Sequence, residues 1–213
     1  MSEKKVRTPE LEEKVKEFEE LFQQVKREGA DKLLAFIQKS DFYTAPASTR
    51  YHSCHEGGLL EHSLNVYQCL IAKINNPVWK PYLENLSEET LIISALCHDL
   101  CKTYFYVPEY RNKKVYNENG KKEDAGGKFD WQTVQGYSID DKIPYGHGEK
   151  SVMMIEEYLK LKPVERYAIR FHMGWSEPKE LYNALGSAME KYPLVIALHE
   201  ADQEATYLFE SKE

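Results

Sequence analysis

Residues 91–102 read Leu91-Ile92-Ile93-Ser94-Ala95-Leu96-Cys97-His98-Asp99-Leu100-Cys101-Lys102, and the reading of this stretch decides the fold. It is an apolar helical run that ends in three residues able to carry charge. His98 follows Ala95 by three and Leu91 by seven; Asp99 follows Leu96 by three and Ile92 by seven. Both are therefore aimed at the helix face that packs inward. A lone inward His is most often an ordinary core histidine. An inward Asp is harder to dismiss, because an unpaired buried carboxylate costs about several kcal/mol.

The same placement recurs outward from that stretch. His62 lies three after Leu59 and four before Val66, and His172 lies four after Ala168 and eight after Val164. Asp202 follows Leu198 by four and Val195 by seven. Inward His and Asp on several separate helices would be very costly unless something cationic joined them. A divalent metal does so, because it takes neutral imidazole and carboxylate donors together and compensates the negative charge. Neighbours such as His98 and Asp99 diverge by about 100° yet can approach one ion from a helix end.

The periodicity predicts a mostly helical single domain. A polar start gives way at Pro9 to a helix with Leu11, Val15, Phe18, Leu21, Phe22 and Val25 on one face. Gly29 ends it, and a short second helix runs through Leu33, Leu34, Phe36 and Ile37. Asp41–Gly58 reads as a loop, and helices follow over about 58–74 and 87–101, joined by a stretch with Pro77 and Pro81. Thr103–Val107, Lys114–Tyr116 and Trp131–Ile139 read as short strands, with a turn at Asn119-Gly120 and a break at Gly126-Gly127. Helices resume over about 148–160, 163–172 and 193–209. The fold class expected is an all-α bundle with a β-hairpin or ribbon inserted at about 103–139. Residues 1–40 would add N-terminal amphipathic helices to a core over about 50–209.

Composition narrows the function further. With 213 residues, 28 Lys+Arg against 35 Asp+Glu and a formal charge of −7, the composition argues against a broad basic surface for duplex nucleic acid. A local phosphate site is not, since a few cations or metal ions outweigh the global field. The four Cys (54, 69, 97, 101) lack Cys-x-x-Cys spacing, and Cys97 and Cys101 read as small core residues. No stretch approaches the roughly 20 apolar residues of a membrane span, and no signal peptide is evident. A reducing cytoplasm is the expected setting.

The ordered residues resemble the HD superfamily of metal-dependent phosphohydrolases. The resemblance is carried by Gly57-Gly58-Leu59-Leu60-Glu61-His62-Ser63, by Ala95–Lys102 and by His199-Glu200-Ala201-Asp202. Tyr145–Ser151 and Arg170–Gly174 add His147 and His172 between the doublet and the last Asp, as in the two-metal branch of that superfamily. It covers about residues 50–209. It implies a first metal held by His62, His98, Asp99 and Asp202, with Asp99 bridging to a second held by His147 and His172. Two such ions roughly 3.5–4 Å apart can clamp a phosphoryl group and lower the pKa of water. The donors suit Mn, Fe, Co, Ni, Mg or Zn equally.

Other residues have two readings each. Lys102, three after Asp99, is a cation for transition-state charge or an ordinary surface Lys, and the first is favoured. His55 protonates the leaving oxygen or binds phosphate, or is a solvated loop His. His52 and Arg50 share that loop and extend the phosphate reading to it. His199 is expected to orient a ligand from behind, and Glu149 either does likewise or favours a helix N-terminus. The aromatics Tyr104, Phe105, Tyr106, Tyr110, Tyr116, Trp131 and Tyr137 pack the insert onto the helices, or one or two stack on a base.

The expected activity is hydrolysis of a nucleotide or short oligonucleotide phosphoester by metal-activated water, with Asp99, Lys102 and His55 in the chemistry. The partner is a small phosphoester substrate; short single-stranded nucleic acid and a homodimer remain open, and no membrane is expected. Superfamily exoribonucleases carry a nucleic-acid-binding domain ahead of the core; the roughly 45 residues ahead of it in this sequence are too few for an OB-fold plus linker, so a small substrate is expected over a long strand. Two alternatives stand: a di-iron oxygenase, and a non-catalytic metal-binding module.

Overall fold

The computed structural model describes residues 7–49 and 53–210, so Arg50 and His52 lie outside the described residues. Helices α1 (Pro9–Phe22) and α2 (Ala30–Lys39) precede α3 (Gly58–Ile74), a single turn α4 (Lys80–Leu83) and α5 (Glu88–Cys97). Strands β1 (Tyr106–Tyr116), β2 (Lys122–Asp124) and β3 (Gly127–Ile139) follow. Helices α6 (His147–Glu156), α7 (Pro163–Arg170), α8 (Tyr182–Lys191) and α9 (Leu194–Glu204) complete the helical part.

Helix α5 lies at the centre. Ser87 caps it by accepting from the Thr90 N–H, and Glu88 and Glu89 sit in its first turn, where the helix dipole favours acids. Every residue from Thr90 to Cys97 is buried, as a helix apolar on all sides must be. Helices α1, α3 and α7 pack against it, and α9 packs on α3 and α7. The amphipathic α1 turns Val15, Phe18 and Phe22 inward, and Phe18 packs tilted against Phe42 and edge-on against Tyr43, with ring centroids 5.3 and 5.6 Å away. Its apolar face is therefore covered by the chain itself.

The single turn α4 falls in the joining stretch and β2 is a strand the sequence reading does not contain, and the elements depart from that reading in four further places. Helix α5 stops at Cys97 and does not run to 101. Asp99 leaves helical geometry (φ −105°, ψ 21°), and Leu100–Lys102 forms a tight turn in which the Lys102 N–H donates to the Asp99 carbonyl at 2.9 Å. The two short strands expected over 103–107 and 114–116 are one strand, running through Pro108. Proline lacks the N–H of a central strand, but the sheet order is β1-β3-β2, so β1 is an edge and tolerates it. Helix α8 lies in a segment that carries no element in the sequence reading; only Leu185 and Ala188 of it are buried, too thin an apolar stripe to stand out. Finally, α9 is α-helical only to Glu204, and Ala205–Glu210 is π-helical. No helix of the described residues is long and apolar enough to cross a membrane.

Candidate metal centre

Six polar residues, drawn from helices far apart in sequence, meet at one end of α5. His62 lies in the second turn of α3. His98 and Asp99 follow the last residue of α5, His172 follows α7, His147 begins α6, and Asp202 sits in α9. The four imidazoles form a continuous row, with ring centroids 5.2 Å apart for His62–His98, 4.9 Å for His98–His172 and 5.3 Å for His172–His147. Two helix C-termini, those of α5 and α7, end at this row, and their partial negative charge favours a cation there. Gly148 allows the last approach: a Cβ at that position would collide with the Arg170 carbonyl oxygen at the end of α7.

The tautomers follow from what each ring touches. His98 Nδ1 lies 2.8 Å from the Ala95 carbonyl, and His172 Nδ1 lies 2.7 Å from the Ile169 carbonyl. A carbonyl only accepts, so both Nδ1 atoms carry a proton, and Nε2 is the nitrogen each ring would offer a metal. Those Nε2 atoms face Asp99, at 3.4 Å from Oδ2 for His98 and 3.5 Å from Oδ1 for His172. His62 Nδ1 faces both Glu210 oxygens at 3.1 Å, while its Nε2 lies 3.2 Å from Asp202 Oδ1 and 3.3 Å from His98 Nε2. The donor set fits a divalent cation: imidazoles with Nδ1 anchored, and Nε2 atoms and carboxylates gathered opposite, where an ion would replace the protons they share.

Asp99 is the hub. Its Oδ2 meets Lys102 Nζ at 2.6 Å and faces His62 and His98; its Oδ1 meets His147 Nε2 at 2.7 Å and faces His172. Burial opposes its charge, but Lys102 and the His98 and His147 rings hold its carboxyl well below the usual carboxylate range. Asp202 is likewise held low against its burial, by the hydrogen bond to His62. Burial alone would neutralise His62, yet its bonds to Asp202 and Glu210 raise it to about 10. Burial lowers His147, whose link to Asp99 only partly offsets it. Three groups with ligand atoms within 4.8 Å of one another occur among the described residues: His62-His98-Asp99, His98-His172-Asp202 and Asp99-Cys101-His147.

The remaining residues fall into place less uniformly. Lys102 is buried and its ammonium lines a cavity of about 990 Å³ together with Asp99, His147, His172 and Asp202. His55 lies on the wall of the same cavity, with its side chain 41% exposed, in the loop that Gly57-Gly58 presses onto the start of α3. His199 does not reach the cluster; its Nδ1 donates to the His172 carbonyl at 2.7 Å and braces the turn carrying that residue. Glu149 pairs with Arg170 and touches no member of the cluster. The aromatic insert divides. Tyr106 lines the cavity and its hydroxyl donates to the Ala47 carbonyl, whereas Tyr116, Phe129 and Trp131 pack on one another along the ribbon and not on the helices.

Two residues of the site escape the sequence reading. Cys101, read as core, is buried but places Sγ 3.2 Å from His147 Nδ1. Glu210 stands behind His62. Its only sequence signal would be an acid eight residues after Asp202, and the π-helical turn between them breaks that arithmetic.

No family model matches the chain. A stretch of 63 residues, 30% of the chain, is 35% identical to dihydroneopterin 2′,3′-cyclic phosphate phosphodiesterase of Methanocaldococcus jannaschii. The match spans 25% of that enzyme's length. No solved structure matches.

Proposed function

We propose that the protein is a divalent-metal-dependent phosphohydrolase of the HD type, cleaving a small nucleotide-like phosphoester with water. The observation that carries this reading is the convergence of four imidazoles on the two oxygens of Asp99, at the floor of an open cavity. The likeness of part of the chain to a cyclic-phosphate phosphodiesterase supports the same class of chemistry. His62, His98, Asp99 and Asp202 would hold one ion, and Asp99, His147 and His172 a second. Bound there, divalent ions supply Lewis acidity toward a phosphoryl oxygen and toward water.

The chain's own groups do the rest. Asp99 is buried and fixed by five partners, His62, His98, Lys102, His147 and His172, so its two oxygens are oriented before any ligand arrives. Lys102, kept protonated by Asp99 despite its burial, gives the cavity floor a fixed positive charge beside the phosphoryl oxygens. His55, half-exposed on the cavity wall, delivers a proton to the departing oxygen as the P–O bond breaks and water supplies its replacement. The cavity is large enough for a nucleotide, and Tyr106 and Ile139 at the root of the ribbon give it a partly apolar wall for the organic part of the substrate.

The deciding experiment offers Mn-loaded protein a generic diester, a monoester, dNTPs, 2′,3′- and 3′,5′-cyclic nucleotides and short RNA. Cleavage abolished by chelator, restored by metal and unchanged without oxygen is the expected result. Oxygen-dependent turnover with bound iron would move the protein to the di-iron oxygenases. No cleavage of any ester by metal-replete protein would leave a metal-binding module.

A further inference from the structure

We infer that Glu210 is a positioning residue for His62, and through it sets how tightly the centre holds its ion; this rests on the reading of His62 as a metal ligand. Glu210 is an acid with a side chain only 1% exposed, and both of its oxygens lie 3.1 Å from His62 Nδ1. Asn65, three residues after His62 on α3, donates its side-chain amide to Glu210 Oε1 at 3.0 Å and keeps the carboxylate in that orientation.

A carboxylate accepts and does not donate, so Glu210 keeps a proton on His62 Nδ1 and leaves Nε2, which faces Asp202 and His98, as the nitrogen that would take the metal. His98 and His172 have the same tautomer but are backed by neutral carbonyls. A negative charge behind an imidazole makes the opposite nitrogen a stronger donor than a carbonyl does. His62 is thereby set apart from the other two rings.

The backbone is bent to reach this arrangement. A 3.6-residue period continued from Asp202 would turn Phe209 inward. The π-helical turn over Ala205–Glu210 inserts one residue, leaving Phe209 56% exposed and burying Glu210. Such turns occur preferentially at functional sites, and here the result is a buried acid where an aromatic ring would have served packing better.

The test compares wild type with Glu210→Gln, Glu210→Ala and Asn65→Ala. Co²⁺ binding is followed by calorimetry and by the d–d absorption of the bound ion, and the metal-free folds by circular dichroism and Tm. Glu210→Gln keeps an acceptor but loses the charge, and should weaken the tighter Co²⁺ site about 10-fold. Glu210→Ala should approach about 100-fold, and both should shift the d–d bands. Asn65→Ala should produce a weakening of a few-fold in the same direction. Wild-type affinity and spectrum in both Glu210 variants, whatever their Tm, would overturn the inference and reduce Glu210 to a packing role. Wild-type protein that takes up no Co²⁺ or Mn²⁺ would instead overturn the metal reading of His62 itself.

Discussion

Asp99 has one oxygen facing His62, His98 and Lys102 and the other facing His147 and His172, so its substitutions should act on everything at once. Asp99→Ala is expected to abolish both metal uptake and hydrolysis, measured by elemental analysis of desalted protein beside the steady-state rate. Full activity in metal-free Asp99→Ala protein would end the two-ion account. Lys102→Met separates charge stabilisation from metal holding: kcat should fall about 10²–10³-fold, the size of effect seen when one oriented electrostatic group is removed, with metal content unchanged. His98, Asp99, His62, His172 and Asp202 were legible because each stands at a helical spacing from apolar residues, although the structure sets His98, Asp99 and His172 just past the ends of α5 and α7. Glu210 was not, because the residue count that reveals a face holds only while the helix keeps its period. Cys101 was not, because a small sulfur side chain on an apolar face looks like packing whether or not a ring stands beside it.

Among the elements, the junction of α6 with α7 carries the sharpest prediction. Gly148→Ala would press a methyl group against the Arg170 carbonyl and push His147 away from His172. The expected cost is about 1–3 kcal/mol, typical of overpacking, seen as a lower Tm, together with loss of the ion that depends on His147. Unchanged metal stoichiometry in that variant would show that the centre needs only one ion. The ribbon should behave in the opposite manner. Replacing its distal part, 110–135, by a short turn removes Tyr110, Tyr116 and Trp131, which are exposed or pack only within the ribbon, and should leave helical content and metal uptake intact. A drop in affinity for one member of the ester panel would then assign the ribbon to substrate recognition. The existence of the ribbon was readable from its Tyr, Val and Phe content, but its continuity through Pro108 was not, since a single sequence does not reveal which strand is the edge.

At the scale of the molecule, the helical bundle and the candidate metal centre are one construction: α3, α5, α7 and α9 each bury a core face and end or pass beside the cluster. Metal removal should therefore register as a global change. An ion present at 100 times its Kd stabilises by about 2.7 kcal/mol, which for a chain of this size raises Tm by roughly 5–11 °C. Differential scanning calorimetry with and without chelator measures it, and coincident thermograms would argue against tight binding by the native fold. The formal charge of −7 bears on none of this, because the two aspartates counted in it lie among His rings and Lys102.

The bond between His62 and Glu210 joins residues 148 positions apart. No shorter stretch of the chain contains the whole centre, and a ribosome-bound nascent chain would have its first ligand long before its last support. If the centre takes up a metal as proposed, acquisition would be a late event, scheduled after the bundle has closed, and uptake of a coloured ion would become a clock that starts only when folding has finished.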